Sequence, residues 1–395
     1  MAIHQYNFPT KIHFGSGSIA LLSDALAEVG KKRPLIVTDR GLAPLSPITD
    51  SAARLKNGGH AVAVFSEVWG NPVKSQVTAG VAAFHAHGAD SIVGIGGGAA
   101  LDVAKAIALM AHHPGDLFDY EDEKPGALPI DKEIPYWVSV PTTAGTGSEV
   151  GRSSVVSDDV THVKKILFSP RLLAARVFAD PDLTLELPAK VTAATGMDAL
   201  THLVEAYLAK GFQPLCDGIA LEGVRLVSQS LSQAVAFAAR IEKGERALLK
   251  DENHLLARSR MLNAALMGGV AFQKGLGVTH SLAHALSTVC DLHHGLANGI
   301  AIPYAMAYNR GVVEDRLADL AMMVRAKDHS AGGFIQWLEE LKATIGIPRT
   351  LSDVGVKREQ LGRLVDIAVA DGCHPNNPRP VSRADFEQLF QSALA

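Results

Sequence analysis

The sequence predicts an α/β N-terminal half built on a mostly parallel sheet, followed by an all-helical C-terminal half. Up to about residue 185, short apolar runs alternate with segments of helical period. Beyond Pro188 strand-like runs become scarce and long helical patterns take over. Two of the early runs end in glycine-rich turns. Strands alternating with helices are the pattern of a parallel sheet covered on both faces. The boundary is placed near residue 185, giving domains 1–185 and 186–395.

The strand-like runs are 33–39, 61–65, 91–95 and 136–140. Helical patterns fill 74–87 and 100–112 between them. In the second half the periodicity predicts helices over 189–210, 217–243, 252–270 and 279–289. Later helices are predicted over 314–326, 332–345, 358–368 and 383–393. No internal repeat or low-complexity stretch interrupts the chain.

A length of 395 residues suits two domains, and 47% apolar with 20% charged residues can build a large core. A formal net charge of -4 gives no electrostatic reason to expect nucleic acid or an anionic membrane as partner. The N-terminus lacks a basic region followed by an apolar one, and no run approaches the roughly 20 apolar residues of a membrane helix. Cys216, Cys290 and Cys373 are widely spaced, which predicts reduced thiols in a cytoplasm.

Two turns have the composition of nucleotide loops. Gly96-Gly97-Gly98-Ala99-Ala100-Leu101-Asp102 follows the run 91–95 and opens a helix. Glycine there lets backbone N–H groups approach a phosphate at the positive end of the helix dipole. Pro141-Thr142-Thr143-Ala144-Gly145-Thr146-Gly147-Ser148-Glu149 follows the next run and offers hydroxyls to a polar ligand. Asp39 ends the first run, where a carboxylate can accept hydrogen bonds from a ribose diol and would repel a 2′-phosphate. A tight turn packing helix on strand, or a turn aspartate, is the plainer reading of each.

The helical half carries a different chemistry. Asp198 and His202 stand at i and i+4, on one helix face one turn apart. An Asp on an apolar helix face is costly without a partner. His280 and His284 repeat the spacing. His293 and His294 are adjacent and point apart, so only one of them would join such a site, and spacing alone does not choose. One carboxylate with imidazoles suits Fe(II) or Zn(II). His112, His113, His162 and His254 have no partner spacing and read as surface residues.

At these residues the chain resembles the iron-containing (group III) alcohol dehydrogenases, over essentially its full length. The motifs are Gly-Gly-Gly-Ala-Ala-Leu-Asp-Val-Ala-Lys at 96–105, Pro-Thr-Thr-Ala-Gly-Thr-Gly-Ser-Glu at 141–149, Asp-Pro-Asp-Leu-Thr at 180–184 and Gly-Met-Asp-Ala-Leu-Thr-His at 196–202. His-Ser-Leu-Ala-His at 280–284, His-Gly-Leu-Ala-Asn at 294–298 and Asn-Pro-Arg-Pro at 377–380 complete the set. The resemblance implies a dinucleotide-binding domain, a helical domain and an active site in the cleft. It implies metal ligation by Asp198, His202, His280 and His294, choosing His294 because the family's ligand directly precedes a glycine. His284 matches a histidine near nicotinamide and substrate, with a proton-relay role. Asp39, Gly97, Gly98, Asp102, Thr142, Thr143 and Lys164 fall at cofactor positions, with NAD the expected dinucleotide.

The implied reaction interconverts a primary alcohol and its aldehyde by metal-assisted hydride transfer, with iron favoured over zinc, in a homodimer or larger homo-oligomer. Arg152, Ser153, Gln273 and Lys274 suggest an alternative substrate with a polar or anionic tail, a hydroxy acid or its semialdehyde. A zinc relative such as a glycerol dehydrogenase or dehydroquinate synthase uses fewer protein ligands. A metallohydrolase would bind no NAD.

Overall fold

The computed structural model describes residues 6–8, 10–122 and 124–395. The N-terminal residues 1–5, part of the segment read above as lacking a leader pattern, lie outside them. The chain divides into two compact units. The α/β unit comprises residues 8–143 and 148–184. The helical unit comprises Leu185–Ala395, joined by Ala144–Gly147 and Asn7.

Among the described residues the α/β unit has eight strands: β1 (Lys11–Phe14), β2 (Pro34–Asp39), β3 (Ala63–Val68), β4 (Ser91–Gly96), β5 (Tyr136–Pro141), β6 (Ser153–Ser157), β7 (Lys164–Phe168) and β8 (Arg176–Ala179). Six form one parallel sheet in the order β1-β8-β5-β4-β2-β3, and β6 and β7 pair antiparallel as a separate ribbon. Four helices accompany them: α1 (Leu22–Glu28), α2 (Ser46–Asn57), α3 (Lys74–His87) and α4 (Gly98–Met110).

The central strands are buried on both faces, which is why they read as continuous apolar runs rather than alternating ones. Ile36, Val93, Ile95, Val138 and Val140 face Leu22 and Leu26 of α1 and Ile48 and Leu55 of α2. The opposite face meets α4: a Cβ on Gly94 would stand 3.1 Å from the Ala104 methyl, with Leu101 and Trp137 beside it. Strand order reverses between β2 and β4, the switch point where open α/β sheets bind ligands outside the strand C-termini. The Asp180–Thr184 motif is a structural clamp. The buried Asp180 carboxylate accepts N–H bonds from Gly17 (3.2 Å), Ile19 (3.1 Å) and Asp182 (3.0 Å).

The helical unit contains α5 (Ala189–Leu208), α6 (Pro214–Glu242), α7 (Glu252–Ala271), α8 (Val278–Cys290), α9 (His294–Asn309), α10 (Glu314–Met323), α11 (Ala331–Ile345), α12 (Leu361–Ala370) and α13 (Arg383–Leu394). At its centre α5 is almost wholly buried, from Thr192 through Leu208. Helix α9 was not expected, because Gly295, Gly299 and Pro303 all disfavour a helix. Tertiary packing overrides them. A Cβ on Gly295 would fall 2.2 Å from Ala194 O of α5, and one on Gly299 3.2 Å from the Met197 side chain. The two glycines let α9 lie directly on α5.

Strands β1, β6, β7 and β8 and helices α1 and α2 also escaped the sequence reading. Each of those strands has only four or five residues, too few to show a period, and α2 is largely polar with Pro47 in its first turn. Two of the four histidines read as surface residues are in fact buried. His113 Nδ1 bonds Leu109 O and its Nε2 accepts from Lys132 N–H, while His254 pairs with Leu248 O and the Arg258 guanidinium. Local polar partners repay burial that spacing does not reveal.

Candidate active site

Three imidazoles converge on one carboxylate oxygen in the helical unit. Asp198 and His202 project from the same face of α5, and His202 Nε2 lies 4.0 Å from Asp198 Oδ1. Helix α8 supplies His280, with Nε2 3.9 Å from the same oxygen. The first residue of α9, His294, brings Nε2 to 3.4 Å. Ligand atoms of Asp198, His280 and His294 all lie within 4.8 Å of one another. The close approach of Gly295 to α5 is what sets His294 here. The His202 ring stacks on that of His280 with centroids 4.7 Å apart.

This is a cluster of acceptor groups, in which burial pulls the His280 imidazole down but the Glu205 carboxylate raises it. Burial pushes the His202 imidazolium down to about 4, against the pull of Asp198, so the ring is neutral and offers a lone pair near pH 7. Asn298, one turn along α9 from His294, donates from Nδ2 to Asp198 Oδ1 (2.7 Å) and lies 3.2 Å from His294 Nε2. Its own Oδ1 is buried with no hydrogen-bond partner among the described residues. Buried acceptors that converge with only an amide among them fit a divalent cation, and one carboxylate with three imidazoles is a borderline-metal donor set. Side-chain exposure marks the open side: Asp198 and His280 are 3% and 1% exposed, His294 25% and His284 18%. The cluster is exposed on the His294 and His284 side.

His284 stands one turn beyond His280 on α8, its ring stacked on His294 with centroids 5.1 Å apart. Its Nδ1 bonds Asp371 Oδ2 at 2.7 Å. Asp371 also accepts from Ser281 Oγ (2.7 Å) and Cys373 N–H (2.9 Å). Although burial opposes ionisation, His284 and these donors hold the Asp371 carboxyl far below the usual range. An ionised Asp371 fixes the His284 proton on Nδ1 and leaves Nε2 for exchange. Beneath His280 lies Glu205, buried on α5 one turn past His202. Burial works against its charge, yet the His280 bond and neighbouring N–H groups hold it ionised.

In the α/β unit the two glycine turns sit on adjacent strand ends. The Thr142 N–H donates to Gly96 O (3.0 Å), tying them together. Gly96 takes φ +155°, and a Cβ there would lie 2.7 Å from the Ala100 methyl; a Cβ on Gly97 would meet the Thr143 side chain at 3.2 Å. The turn is a bare-backbone cradle at the start of α4 that side chains would fill. Asp39 ends β2 beside it: its Oδ1 caps the turn by accepting Leu42 N–H at 2.8 Å, and its Oδ2 lies 3.7 Å from where a Gly96 Cβ would stand.

The family model described as iron-containing alcohol dehydrogenase matches residues 9–181, and its C-terminal counterpart, the Fe-containing alcohol dehydrogenase family, C-terminal, matches 192–394. The chain belongs to the iron-containing alcohol dehydrogenase family. It is thus an oxidoreductase working between alcohols and aldehydes. It is 35% identical to a 4-hydroxybutyrate dehydrogenase of Cupriavidus necator, covering 98% of each chain. It is 34% identical to an NAD-dependent methanol dehydrogenase of Bacillus methanolicus, covering 96% of this chain and 97% of the other. A crystal structure of 1,3-propanediol oxidoreductase superposes with a TM-score of 0.91 at 34% identity, covering 100% of both chains.

Within this family member the structure groups Asp198, His202, His280, His294 and His284 in one place, and Asp39, Gly97, Gly98, Thr142 and Thr143 in another. Asp102 is engaged inside the α/β unit: its oxygens accept from Ser148 Oγ (2.6 Å) and Val155 N–H (3.1 Å). Lys164 begins β7 on the two-stranded ribbon. Two of the suggested anion-binding side chains, Lys274 and Gln273, are engaged in other contacts. The buried Lys274 ammonium pairs with Asp217 (2.5 Å) and Tyr207 O, Gln273 bonds the Asn7 backbone, and Arg152 stacks over Phe168. Gly145 and Gly147, read as ligand-loop glycines, serve packing. Their Cβ atoms would lie 2.7 Å from Thr195 O on α5 and 2.5 Å from Gly269 on α7.

Sequence reasoning missed Glu205, Asn298 and Asp371 as partners of the site. Glu205 had a signal, since Asp198, His202 and Glu205 run i, i+4, i+7 down one face. Asn298 lay inside a quoted motif. Asp371 had none: 87 residues separate it from His284.

Proposed function

We propose that this enzyme is an NAD-dependent alcohol dehydrogenase in which Asp198, His202, His280 and His294 hold Fe(II), or Zn(II) in its place. The observation that carries the reading is the convergence of buried acceptors from α5, α8 and α9 around Asp198 Oδ1. A bound divalent ion supplies Lewis acidity toward an alcohol or carbonyl oxygen, and NAD supplies the hydride acceptor. The chain's own residues do the rest. Gly97, Gly98, Thr142 and Thr143 cradle the pyrophosphate, with Asp39 favouring a ribose diol over a 2′-phosphate. His284 receives the alcohol proton at Nε2 and passes it toward solvent through its exposed edge, while Asp371 keeps the ring oriented. Lys164 and Asp102 complete the cofactor contacts implied by the family pattern.

The expected substrates are short primary alcohols and their aldehydes. A second reading, an ω-hydroxy acid and its semialdehyde, is favoured by the 4-hydroxybutyrate dehydrogenase relative; it draws nothing from Lys274, which is already paired. A cytoplasmic location fits cysteines that form no disulfide among the described residues, and a homodimer or larger assembly fits the family pattern. No described helix is long and apolar enough to cross a membrane. A panel of alcohols, diols and ω-hydroxy acids with NAD and ferrous ion tests the reading through NADH absorbance. Turnover of simple alcohols or diols is expected, turnover of hydroxy acids alone moves the assignment to the second reading, and no NADH from any of them overturns both.

A further inference from the structure

The strongest unassigned feature is the buried carboxylate under His280. Glu205 comes from α5, the helix that carries Asp198 and His202, yet every described partner of its carboxylate belongs to the start of α8. Oε2 accepts His280 Nδ1 (2.7 Å) and Gly277 N–H (2.8 Å), and Oε1 accepts Thr279 N–H (2.6 Å). The approach depends on residue 277 lacking a side chain, because a Cβ there would stand 2.9 Å from Glu205 Oε1 and 2.8 Å from Asn377 Oδ1. Asn377, from the Asn-Pro-Arg-Pro motif, accepts Val278 N–H at 3.2 Å and completes the cap.

We propose that Glu205 is a positioning residue that fixes His280 as the Nδ1–H tautomer, so that Nε2 presents its lone pair toward Asp198 as a metal donor. The inference rests on the metal reading above and goes one layer behind it. A ring nitrogen facing a carboxylate must carry the proton, and the other nitrogen is then bare. The same carboxylate satisfies the first N–H groups of α8 and sets that helix at the depth where His280 and His294 share Asp198 Oδ1. It also balances charge: two buried carboxylates, Asp198 and Glu205, match one divalent cation with three neutral imidazoles. One face of α5 therefore carries two direct ligands and the group that orients a third.

Glu205→Gln in the full-length protein tests this. Its amide N–H₂ must face either Thr279 N–H or His280 Nδ1, and the second arrangement moves the proton to Nε2, against Asp198. Zn(II) affinity is measured by competition with a chromophoric chelator, and the His280 tautomer by ¹⁵N shifts of the labelled, metal-free protein. The expected result is Zn(II) binding weakened roughly 10- to 100-fold with His280 shifted toward the Nε2–H form. Should Glu205→Gln fail to fold, Glu205→Asp keeps the charge with a shorter reach and is expected to show a smaller loss of affinity. Wild-type affinity in a folded variant overturns the proposal, as does lower thermal stability with the tautomer unchanged, since that is a helix cap alone. A wild type that binds neither Zn(II) nor Fe(II) overturns the metal reading and this inference with it; wild-type binding beside an unaffected variant overturns this inference alone.

Discussion

The two units build their binding groups by opposite means. In the α/β unit the cradle is backbone: Gly96 and Gly97 sit at a strand end where a Cβ would meet Ala100 or Thr143. In the helical unit the site is side chains, brought by α5, α8 and α9 to one carboxylate oxygen. The first kind of site is lost by adding atoms and the second by removing them. On the proposed reading the reaction draws on both halves, and that difference makes them separable by mutation.

The comparison breaks most visibly at His284. His284→Ala is expected to lower kcat by about 10²- to 10⁴-fold, the range for loss of a general acid–base group. Bound metal and NADH affinity, read by metal analysis and fluorescence titration, should stay near wild type. Loss of metal would mean that His284 belongs to the ligand set instead. The mirror experiment adds atoms to the cradle. Gly97→Val puts a branched side chain against Thr143, 3.2 Å from the Cβ position, and should weaken NADH about tenfold or more, the equivalent of about 1.4 kcal/mol. Metal content should not change.

A smaller effect sharpens the contrast within the α/β unit, where a buried carboxyl titrates near neutrality. Burial pushes the Glu149 carboxyl up to about 7, and its Oε1 has no hydrogen-bond partner among the described residues. The folded protein therefore keeps that proton to higher pH than the unfolded chain, whose carboxyl titrates near 4.5. Its contribution to stability is fully present below about pH 4.5 and is lost as the pH rises toward about 7, a swing of about 3 kcal/mol. Melting temperatures at pH 5 and pH 8 should differ less in Glu149→Gln than in wild type.

The same contrast explains what could be read from the sequence. Glycine turns after apolar runs are visible because the turn, the strand and the helix are contiguous. Asp198 with His202, and His280 with His284, are visible because helical spacing is local. The choice of His294 over His293 came only from the family pattern, and its physical cause is Gly295 pressed on Ala194, a contact between α9 and α5. Asp371 and the true partner of Lys274 were illegible, since each is a long-range pairing without a period. Gly145 and Gly147 carry a second constraint that spacing does not show. They look like ligand-loop glycines, yet close packing on α5 and α7 requires them.

The central claim is that the converging histidines hold the catalytic metal independently of the dinucleotide cradle. It is tested most directly on anaerobically purified wild type and His280→Ala, by metal content, NAD-dependent alcohol oxidation and NADH titration. The wild type should carry iron or zinc and turn over; the variant should lose both metal and turnover while still binding NADH. Alcohol oxidation by a metal-free His280→Ala protein would contradict the account.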